Sequence, residues 1–390
     1  MSLRTSVSIG ALAVLTLLPG TAHAQWTVTA LNPVGAADSR ALAASSSLQG
    51  GTALVESAFH ASLWSGSAAS WVDLNPAGAT GSIITAMSGS QQVGRATVGN
   101  VNRASLWNGT AASWVDLSPA GAMDSAANAT SGTQQVGSVF IDGLNRASVW
   151  SGTAASWVDL NPANSQGSAA FATNGVQQAG GAFVSGLNRA SLWSGSAASR
   201  VDLSPAGATD STVNAMSGSQ QGGYAQVGGV YCASLWSGSA ASWVNLNPAG
   251  SNESNVFGIS GLAQVGYASI LGPEPRASLW NGTAASWEDL SVFLPSRFTR
   301  YSFATAISTD GVNTYVSGYA RSSTSSAFEA VLWTRTACAA DYNGGGLSVQ
   351  DVFDFLGDWF SGAPRADFSR DGQVSVQDIF DFLNAWFAGC

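Results

Sequence analysis

The sequence contains no lysine, and charged residues of every kind make up only 9% of its 390 residues. Nucleic acids are held by clustered basic side chains that neutralise phosphates, so this composition argues against a nucleic-acid partner. Beyond the N-terminal segment, no continuous apolar stretch reaches the roughly 18 to 20 residues that a membrane-spanning helix requires. The many Trp, Val, Leu and Phe residues nevertheless indicate a buried core. We therefore expect a folded protein with no transmembrane span.

The first 24 residues have the features of a signal peptide. Arg4 precedes an apolar run over Ile9–Leu18, and Ala22 and Ala24 follow as a small-residue cleavage site. The run is too short to cross a bilayer as a helix. The sequence therefore predicts a protein that is secreted or displayed at the cell surface, with a mature chain that starts near Gln25.

Two kinds of short motif recur along most of the remaining chain. The first is an apolar strand that ends in Leu-Trp or Val-Trp, and its members are 43, 43, 43, 43, 44 and 53 residues apart. Its tryptophans are Trp64, Trp107, Trp150, Trp193, Trp236, Trp280 and Trp333. The second is a strand of the WVDLNP type, which opens at Trp26, Trp71, Trp114, Trp157, Arg200, Trp243 and Trp287. A period in the forties that consists of short strands is typical of propeller blades.

Each period contains four strand-like segments. In the unit that starts at Ser125 they are AANATSG, QQVGSVF, RASVW and SWVDL, separated by Gly, Ser, Asn or Pro. Ser-Gly or Asn-Gly pairs, as at Asn108 and Gly109, predict a tight hairpin between the last two strands. Four short antiparallel strands per repeat predict one propeller blade.

The two motif sets are out of phase at the chain ends. WTVTALNP from Trp26 has no partner before it, and AVLW ending at Trp333 has no WVDL strand after it. Pairing Trp26–Pro33 with Ala330–Trp333 would close a ring and leave no apolar blade face exposed. The sequence therefore predicts an all-β seven-bladed propeller over residues 25–336, with the N- and C-terminal strands in one blade. A right-handed β-solenoid is the alternative, but it would not explain the phase offset.

The amino-acid sequence of the repeats also resembles a known family. HASLWSGSAASWVDLNPAG from His60 and SQQVGRA from Ser90 are similar to the HAF family of bacterial extracellular repeats, and the resemblance covers nearly all of residues 25–336. It implies a propeller-like secreted array and no known activity.

No residue set in the repeats has the pattern of an active site. Aspartates recur in equivalent places, which favours turn or capping hydrogen bonds over catalytic pairs. They are Asp73, Asp116, Asp159, Asp202 and Asp289. His60 and Cys232 occupy the position where other repeats carry arginine, so we interpret both as variants of a variable position. The repeated tryptophans are expected to fill the interfaces between blades; the alternative is that one set lines outer grooves and stacks on glycans.

The last repeat departs most from the others. Its segments SVFLPSRFTRYSF and ISTDGVNTYVSG carry Arg297, Arg300, Tyr301 and Asp310. Ser308–Tyr315 is faintly similar to the Asp-box turn of sialidase-type propellers, but its Asp and Gly are adjacent rather than spaced. We therefore predict an ordinary hairpin turn.

Most of the excess negative charge lies from Cys338 onward, where eight aspartates accompany only two arginines. Acidity that is concentrated in aspartate indicates cation binding. This segment also contains a 27-residue repeat, because VQDVFDFLGDWFSG from Val349 and VQDIFDFLNAWFAG from Val376 match at ten of fourteen positions. Apolar residues at helical spacing predict one helix in each copy, and an Asp-rich loop precedes each helix.

The second loop has the ligand spacing of a calcium site, with Gly372 at the position of the sharp turn. A hard cation needs six to eight oxygen ligands, and this spacing arranges them around one point. The candidate ligands are Asp367, Ser369, Asp371, Gln373, Ser375 and Asp378. The first loop is one residue shorter and lacks the acid at the fifth position, so a weaker site is predicted. Its candidates are Asp341, Asn343, Ser348 and Asp351.

The tandem resembles a type I dockerin over about 50 residues, and Asp378 replaces the usual Glu of calcium loops as it does in dockerins. The resemblance implies calcium-dependent binding to a cohesin domain, in extracellular assemblies of which many degrade polysaccharides. Residues 337–390 would form this dockerin-like domain. Cys338 and Cys390 bracket it, and in an oxidising compartment they are the natural disulfide pair.

Functions from different classes fit these features. The preferred hypothesis is a non-catalytic secreted or cell-surface binding or scaffold protein, with a glycan as a candidate ligand of the ring. Its C-terminal module would bind a cohesin-like protein or a cell-surface component. The alternative is a polysaccharide-degrading enzyme or accessory of the glycoside hydrolase type, which requires an asymmetric pair of carboxylates at one mouth of the channel. A purely structural envelope component is a third hypothesis, and it would have no groove.

Overall fold

The computed structural model describes residues 26–270, 272–336, 338–343, 347–369 and 371–389. The predicted signal peptide and Cys390 lie outside the described residues, so the predicted disulfide stays a prediction. Trp26–Thr336 forms one compact unit, and the residues that follow belong to a second unit. Among the described residues, no helix has the length and apolar character needed to cross a membrane.

The first unit is a ring of seven antiparallel sheets with four strands each, which confirms the predicted seven-bladed propeller. The strands are β1 (Thr27–Ala30) in blade 7; β2 (Ser39–Ser45), β3 (Leu48–Val55), β4 (Ala58–Trp64) and β5 (Val72–Asp73) in blade 1; and β6 (Gly81–Ser88), β7 (Gln91–Val98), β8 (Val101–Trp107) and β9 (Val115–Asp116) in blade 2. They continue with β10 (Asp124–Thr130), β11 (Gln135–Ile141), β12 (Leu144–Trp150) and β13 (Val158–Asp159) in blade 3; and β14 (Ser168–Thr173), β15 (Gln178–Val184), β16 (Leu187–Trp193) and β17 (Val201–Asp202) in blade 4. The last are β18 (Asp210–Ser217), β19 (Gln220–Val227), β20 (Val230–Trp236) and β21 (Val244–Asn245) in blade 5; β22 (Ser251–Ser260), β23 (Ala263–Ile270), β24 (Arg276–Trp280) and β25 (Glu288–Asp289) in blade 6; and β26 (Phe298–Thr309), β27 (Asn313–Ser322) and β28 (Phe328–Thr336) in blade 7.

Blade 7 contains strands from both ends of the propeller segment of the chain. β1 pairs with β28 in antiparallel fashion, with Val28 opposite Trp333. Beyond the strand, the Leu31 N–H donates to the Ala330 carbonyl at 2.8 Å. The predicted pairing of the two unpartnered strands is therefore confirmed. A closed ring leaves no terminal blade face in water, which is the physical reason for this pairing.

Each second strand carries a glycine where the first strand of the same blade approaches closely. A β-carbon at Gly94 would lie 1.9 Å from the Ile83 carbonyl oxygen, so only glycine fits there. The register between β6 and β7 then shifts at a bulge between Ile84 and Ala86. The same shift recurs in all the other blades. The bulged residue, Thr85 in blade 2, lies at the wall of the central channel.

The first set of tryptophans forms the interfaces between blades. All seven are fully buried, and Trp107 of blade 2 packs against Ala61 and Leu74 of blade 1. Tryptophans of the second set in blades 1, 2, 3, 5 and 6 are only half-buried. Their indole N–H groups donate to a serine of the third strand, as Trp114 does to Ser105 at 2.9 Å. The predicted core role is therefore confirmed for the first set.

The connection between the third and fourth strands is longer than the tight hairpin that the Ser-Gly and Asn-Gly pairs predict. Between β4 and β5 it includes a 3₁₀ turn over Ala68–Ser70. Gly66 has a positive φ of 81°, and its N–H donates to Gln49 Oε1 at 2.9 Å. The Ser65 N–H donates to the hydroxyl of Ser70 at 2.8 Å. Side-chain acceptors therefore satisfy the backbone of a longer loop, so a two-residue turn is not required.

The second unit contains two helices of equal length, α1 (Val349–Ser361) and α2 (Val376–Ala388), as the 27-residue repeat predicts. The rings of Phe355 and Phe382 stack with centroids 4.1 Å apart. Indole groups then link each helix to the start of the other. Trp359 Nε1 donates to the carbonyl at the start of α2 at 2.6 Å, and the tryptophan of α2 donates to the start of α1 at 2.9 Å. The two halves therefore pack by reciprocal, repeat-equivalent contacts.

Candidate functional site

The central channel is lined by the first strands of all seven blades. The bulged residues at its wall are Leu42, Thr85, Asn128, Phe171, Asn214, Phe257 and Thr305. Polar members of this set bond to the neighbouring blade. Asn128 Nδ2 donates to the Ala170 carbonyl at 2.9 Å, and Thr305 Oγ1 donates to the Ala41 carbonyl at 2.6 Å. Among the described residues, no charged side chain lines the channel.

The repeated aspartates of the fourth strands have two structural roles. Asp159 Oδ1 accepts the Asn161 N–H at 2.7 Å, and its Oδ2 accepts a hydrogen bond from Arg146 at 2.7 Å. His60 Nδ1 lies 2.7 Å from Asp73 Oδ2 in the equivalent place of blade 1. The predicted turn-capping role is therefore confirmed. In blades 1, 2, 3 and 6 the position shared by His60 and the repeat arginines supplies the partner of the aspartate. In blade 4 Asp202 pairs instead with Arg200 at 3.3 Å.

Blade 5 replaces both members of this pair. Cys232 stands in the arginine position and Asn245 in the aspartate position. Asn245 Oδ1 still accepts the Asn247 N–H at 2.8 Å, so the turn bond is kept without a charge. Cys232 is a buried free thiol, and burial raises its pKa. A high pKa makes it a poor nucleophile, which agrees with a structural role.

The divergent residues of the last repeat are engaged in local contacts. Arg297 and Arg300 form ion pairs with acidic residues of nearby strands. Asp310 lies in the turn between β26 and β27, where it accepts the Asn313 N–H at 2.6 Å and the Tyr315 hydroxyl at 2.8 Å. Backbone hydrogen bonds hold the pKa of Asp310 well below its usual range. This is the ordinary hairpin turn that the sequence predicts.

One position beside the channel wall varies strongly between otherwise similar blades. It follows the close-approach glycine of each second strand, and in blades 1 to 7 it is occupied by Thr52, Arg95, Ser138, Gly181, Tyr224, Tyr267 and Tyr319. In blades 6 and 7 the tyrosines pack against Phe303, with ring centroids 5.3 and 5.0 Å apart. In blades 3 and 4 the facing residues on the first strands are alanines, Ala126 and Ala169. Small side chains therefore leave open space where other blades carry tyrosine.

This open space is a cavity of about 730 Å³, called the basin below. It extends from Arg95 in blade 2, across blades 3 and 4, to Tyr224 in blade 5, and it includes the channel residues Asn128 and Phe171. A second cavity of about 370 Å³ lies between blades 1 and 2, and Arg95 lines both. The sequence does not predict the basin, because a repeat position that varies between blades looks like neutral variation. Its signal is the grouping by size, with small residues in consecutive blades.

The second acidic loop is folded around its own carboxylates. Asp367 accepts the Gly372 N–H at 2.8 Å and the Asp371 N–H at 3.1 Å. Asp371 Oδ1 accepts the Gln373 N–H at 2.8 Å. Gly372 has a φ of 92°, which supplies the sharp turn that the calcium pattern requires at this position. The backbone geometry of the loop thus fits a calcium site.

The last candidate ligand of each loop lies in the first turn of the helix that follows. Asp378 is fully buried and accepts the N–H groups of Ser369 at 2.8 Å and Ser375 at 2.7 Å. These backbone hydrogen bonds lower the pKa of Asp378 to about 2. In the first loop, the Ser348 N–H donates to buried Asp351 at 2.7 Å. Both aspartates are thus held by backbone N–H groups at the base of their loops.

The two loops differ in the rest of their candidate ligands. In the first loop, Asn343 Nδ2 donates to Asp354 Oδ2 at 3.0 Å, and residues 344–346 lie outside the described residues. Ser369 of the second loop has its hydroxyl 3.4 Å from Asp367 Oδ1. Within the described ranges, no three acidic, histidine or cysteine side chains form a ready-made metal cluster. N–H groups of the same loops instead donate to four of the carboxylates, which are Asp351, Asp367, Asp371 and Asp378.

The helices expose apolar residues at equivalent positions of the two halves. Phe360 and Phe387 are 78% and 77% exposed, which is unusual for phenylalanine. The full set of equivalent pairs is Val349 and Val376, Phe353 and Phe380, and Phe360 and Phe387. Exposed apolar groups of this size commonly mark interaction surfaces.

No family model and no curated protein matches the chain. Among solved structures, a puromycin hydrolase mutant resembles it with a TM-score of 0.50 at 8% identity, over 77% of this chain and 53% of the hydrolase. A puromycin-hydrolyzing peptidase of Mycobacterium tuberculosis has a TM-score of 0.49 at 11% identity, over 80% and 54% of the two chains. TolB from Acinetobacter baumannii has a TM-score of 0.41 at 10% identity, over 74% and 80%. The chain thus spans about half the length of the two hydrolases, and the similarity shows the β-propeller fold alone.

Proposed function

We propose that this protein is a non-catalytic secreted or cell-surface binding protein, whose ring presents a ligand surface and whose C-terminal unit is a calcium-dependent docking module. The chemistry of the ring cavities carries the proposal. The described lining of the channel is uncharged, and the described lining of the basin includes a single carboxylate, Asp124, and a single cation, Arg95. A glycoside hydrolase of the usual kind needs two carboxylates at the scissile bond. The basin is therefore suited to binding rather than to bond cleavage.

The hydrolase alternative would need a second carboxylate beside Asp124. Asp210 is the repeat-equivalent residue two blades further on, and it accepts hydrogen bonds from Asn188 at 3.0 Å and Tyr224 at 3.2 Å. Asp210 therefore holds two side chains of the basin wall in place. A positioning role of this kind does not supply the acid and base pair of a glycosidase.

Calcium is the cofactor that we propose for the C-terminal unit. Carboxylates confined to one short loop repel one another, and a divalent cation offsets that repulsion. The Gly372 turn and the buried Asp378 support this assignment. The second-loop ligands would be Asp367, Ser369, Asp371, Gln373, Ser375 and Asp378, with Asp341, Asn343, Ser348 and Asp351 as a weaker set in the first loop.

The docking partner that we propose is a cohesin-like domain, as the dockerin resemblance implies. The exposed valines and phenylalanines of α1 and α2 offer it an apolar surface on each half of the module. Because both patches lie on helices that follow the acidic loops, calcium would favour binding by fixing the start of each helix.

A binding screen of the full-length protein tests this function. We expect glycan binding that a calcium chelator leaves unchanged, because the predicted calcium ligands all lie in the second unit. Binding to immobilised cohesin domains should disappear with the chelator, and in the Phe360→Ser and Phe387→Ser double variant. A protein that binds no glycan and no cohesin, with calcium or without it, would contradict the proposal.

A further inference from the structure

The basin exists because two consecutive blades depart from the pattern of their neighbours. A β-carbon at Gly181 would lie 2.8 Å from Asn188 Oδ1 and 3.1 Å from Thr212 Oγ1, so Asn188 occupies the space that a side chain would need. In blade 5 the same position holds Tyr224. The missing side chain thus opens a cavity and places an amide in its wall. This pattern is typical of a recess that is shaped for a ligand.

The walls of the basin combine aromatic faces with planar amides. Phe183 is 40% exposed, and Phe140 and Tyr224 also line the cavity. The amides of Asn145 and Gln166 reach it from exposed positions. Aromatic rings cover the apolar faces of sugar rings, whereas amides donate to and accept from their hydroxyl groups. The mixture therefore favours a saccharide over a purely apolar ligand.

Arg95 is the one cationic side chain in the described lining of the basin. Its side chain is exposed, and it forms no ion pair in the part of the chain that the structure describes. Arg40, which lines the neighbouring cavity, is by contrast paired with Asp38 at 3.3 Å. A guanidinium binds a carboxylate with two parallel hydrogen bonds, which an uncharged hydroxyl cannot match. Arg95 therefore favours a ligand that carries a carboxylate.

We propose that the basin binds an acidic oligosaccharide, with sugar rings against Phe183 and Tyr224 and a uronate carboxylate paired with Arg95. Asp124, which accepts a hydrogen bond from Asn102 at 3.0 Å, remains an acceptor for a sugar hydroxyl. This inference rests on the proposed binding function and specifies its ligand. A nucleic acid is excluded as the ligand because one arginine cannot neutralise a run of phosphates.

Calorimetry with two matched probes tests the inference on the full-length protein. One probe is a short oligogalacturonate, and the other is the same oligosaccharide with every carboxylate methylated to a neutral ester. We expect the acid to bind at least about tenfold more tightly at low salt, because the bonds to a charged partner are stronger. This preference should shrink as salt is added.

Two basin variants and two controls locate the binding. Arg95→Gln should remove the preference for the acid, whereas Arg189→Gln, which alters an arginine outside the basin lining, should not. Gly181→Tyr installs the residue that blades 5 to 7 already carry and should abolish binding of both probes. Tyr267→Ser changes the same position in blade 6, outside the basin, and should leave binding unchanged. Thermal melting confirms that each variant is folded.

The results separate the inference from the function on which it rests. Equal affinity for both probes, or an unchanged preference in Arg95→Gln, would overturn the acidic ligand. Undiminished binding in a folded Gly181→Tyr variant would overturn the location in the basin. If neither galacturonate probe binds while other glycans do, the acidic ligand is wrong and the binding function stands. If no glycan of any kind binds, the ring has no such function.

Discussion

Arg200 stands where five other repeats carry a half-buried tryptophan, and it keeps the hydrogen bond of that position. Arg200 Nε donates to Ser191 Oγ at 2.8 Å, as Trp157 Nε1 donates to Ser148 Oγ at 2.9 Å. What this position requires is therefore an N–H donor that reaches the third strand. The first-set tryptophans have a different role, because they are fully buried between blades.

The two tryptophan sets should differ in their effect on stability. Trp107→Ala removes a fully buried ring from a blade interface, so we expect a loss of about 3–5 kcal/mol in the free energy of unfolding. Trp114→Ala removes a half-buried ring and one hydrogen bond, for which about 1–2 kcal/mol is expected. Denaturant unfolding of both variants measures the difference. An equal loss in the two variants would contradict the assignment of the first set to the core.

Deprotonation of Tyr267 should lower the stability of the ring at alkaline pH. Burial, with a smaller effect from Glu253, raises the pKa of Tyr267 from 10.0 to about 12. The folded state thus holds this proton more tightly than the unfolded chain, so its contribution is complete below pH 10 and is lost as the pH rises towards 12. The thermal midpoint of the wild type should fall across this window more steeply than that of Tyr267→Phe. Parallel curves for the two proteins would show that Tyr267 is not the group responsible.

At the scale of the element, β1 is the strand that closes the ring. Deletion of residues 25–33 should expose the edge of β28 and one face of blade 7. We expect the thermal midpoint to fall sharply, because the ring then has a free edge and loses the contacts of Trp26 and Leu31. A deletion variant that melts like the full chain would show that β1 does not close the ring.

The acidic loops should differ in their affinity for calcium. The second loop has the full ligand spacing and the Gly372 turn, whereas the first is one residue shorter. Calorimetry should give a dissociation constant on the order of 10⁻⁴ M or tighter. Asp367→Ala with Asp371→Ala should abolish most of the binding heat, and the matched pair Asp341→Ala with Asp351→Ala should remove little. The reverse order would overturn the choice of loop, and no heat in the wild type would refute the calcium module.

At the scale of the whole molecule, the repeats allow the ring to be predicted because a repeat specifies the same strands and the same contacts in every blade. The phase of the Trp motifs also specifies the closure by β1. The basin could not be predicted in this way. It depends on Gly181 and Ser138 standing where other blades carry tyrosine, and in the sequence this is indistinguishable from variation without consequence. Only the packing of blade 3 against blade 4 brings these positions together.

The proposed function requires that the ring binds a glycan without cleaving it. The most direct measurement is to incubate the full-length protein, with calcium, with the oligosaccharide that it binds most tightly, and then to determine the chain length and the reducing ends of the recovered sugar. We expect recovery at unchanged length with no new reducing ends. Shortened products that disappear in an Asp124→Asn variant would contradict it, because they would make Asp124 part of a hydrolytic site.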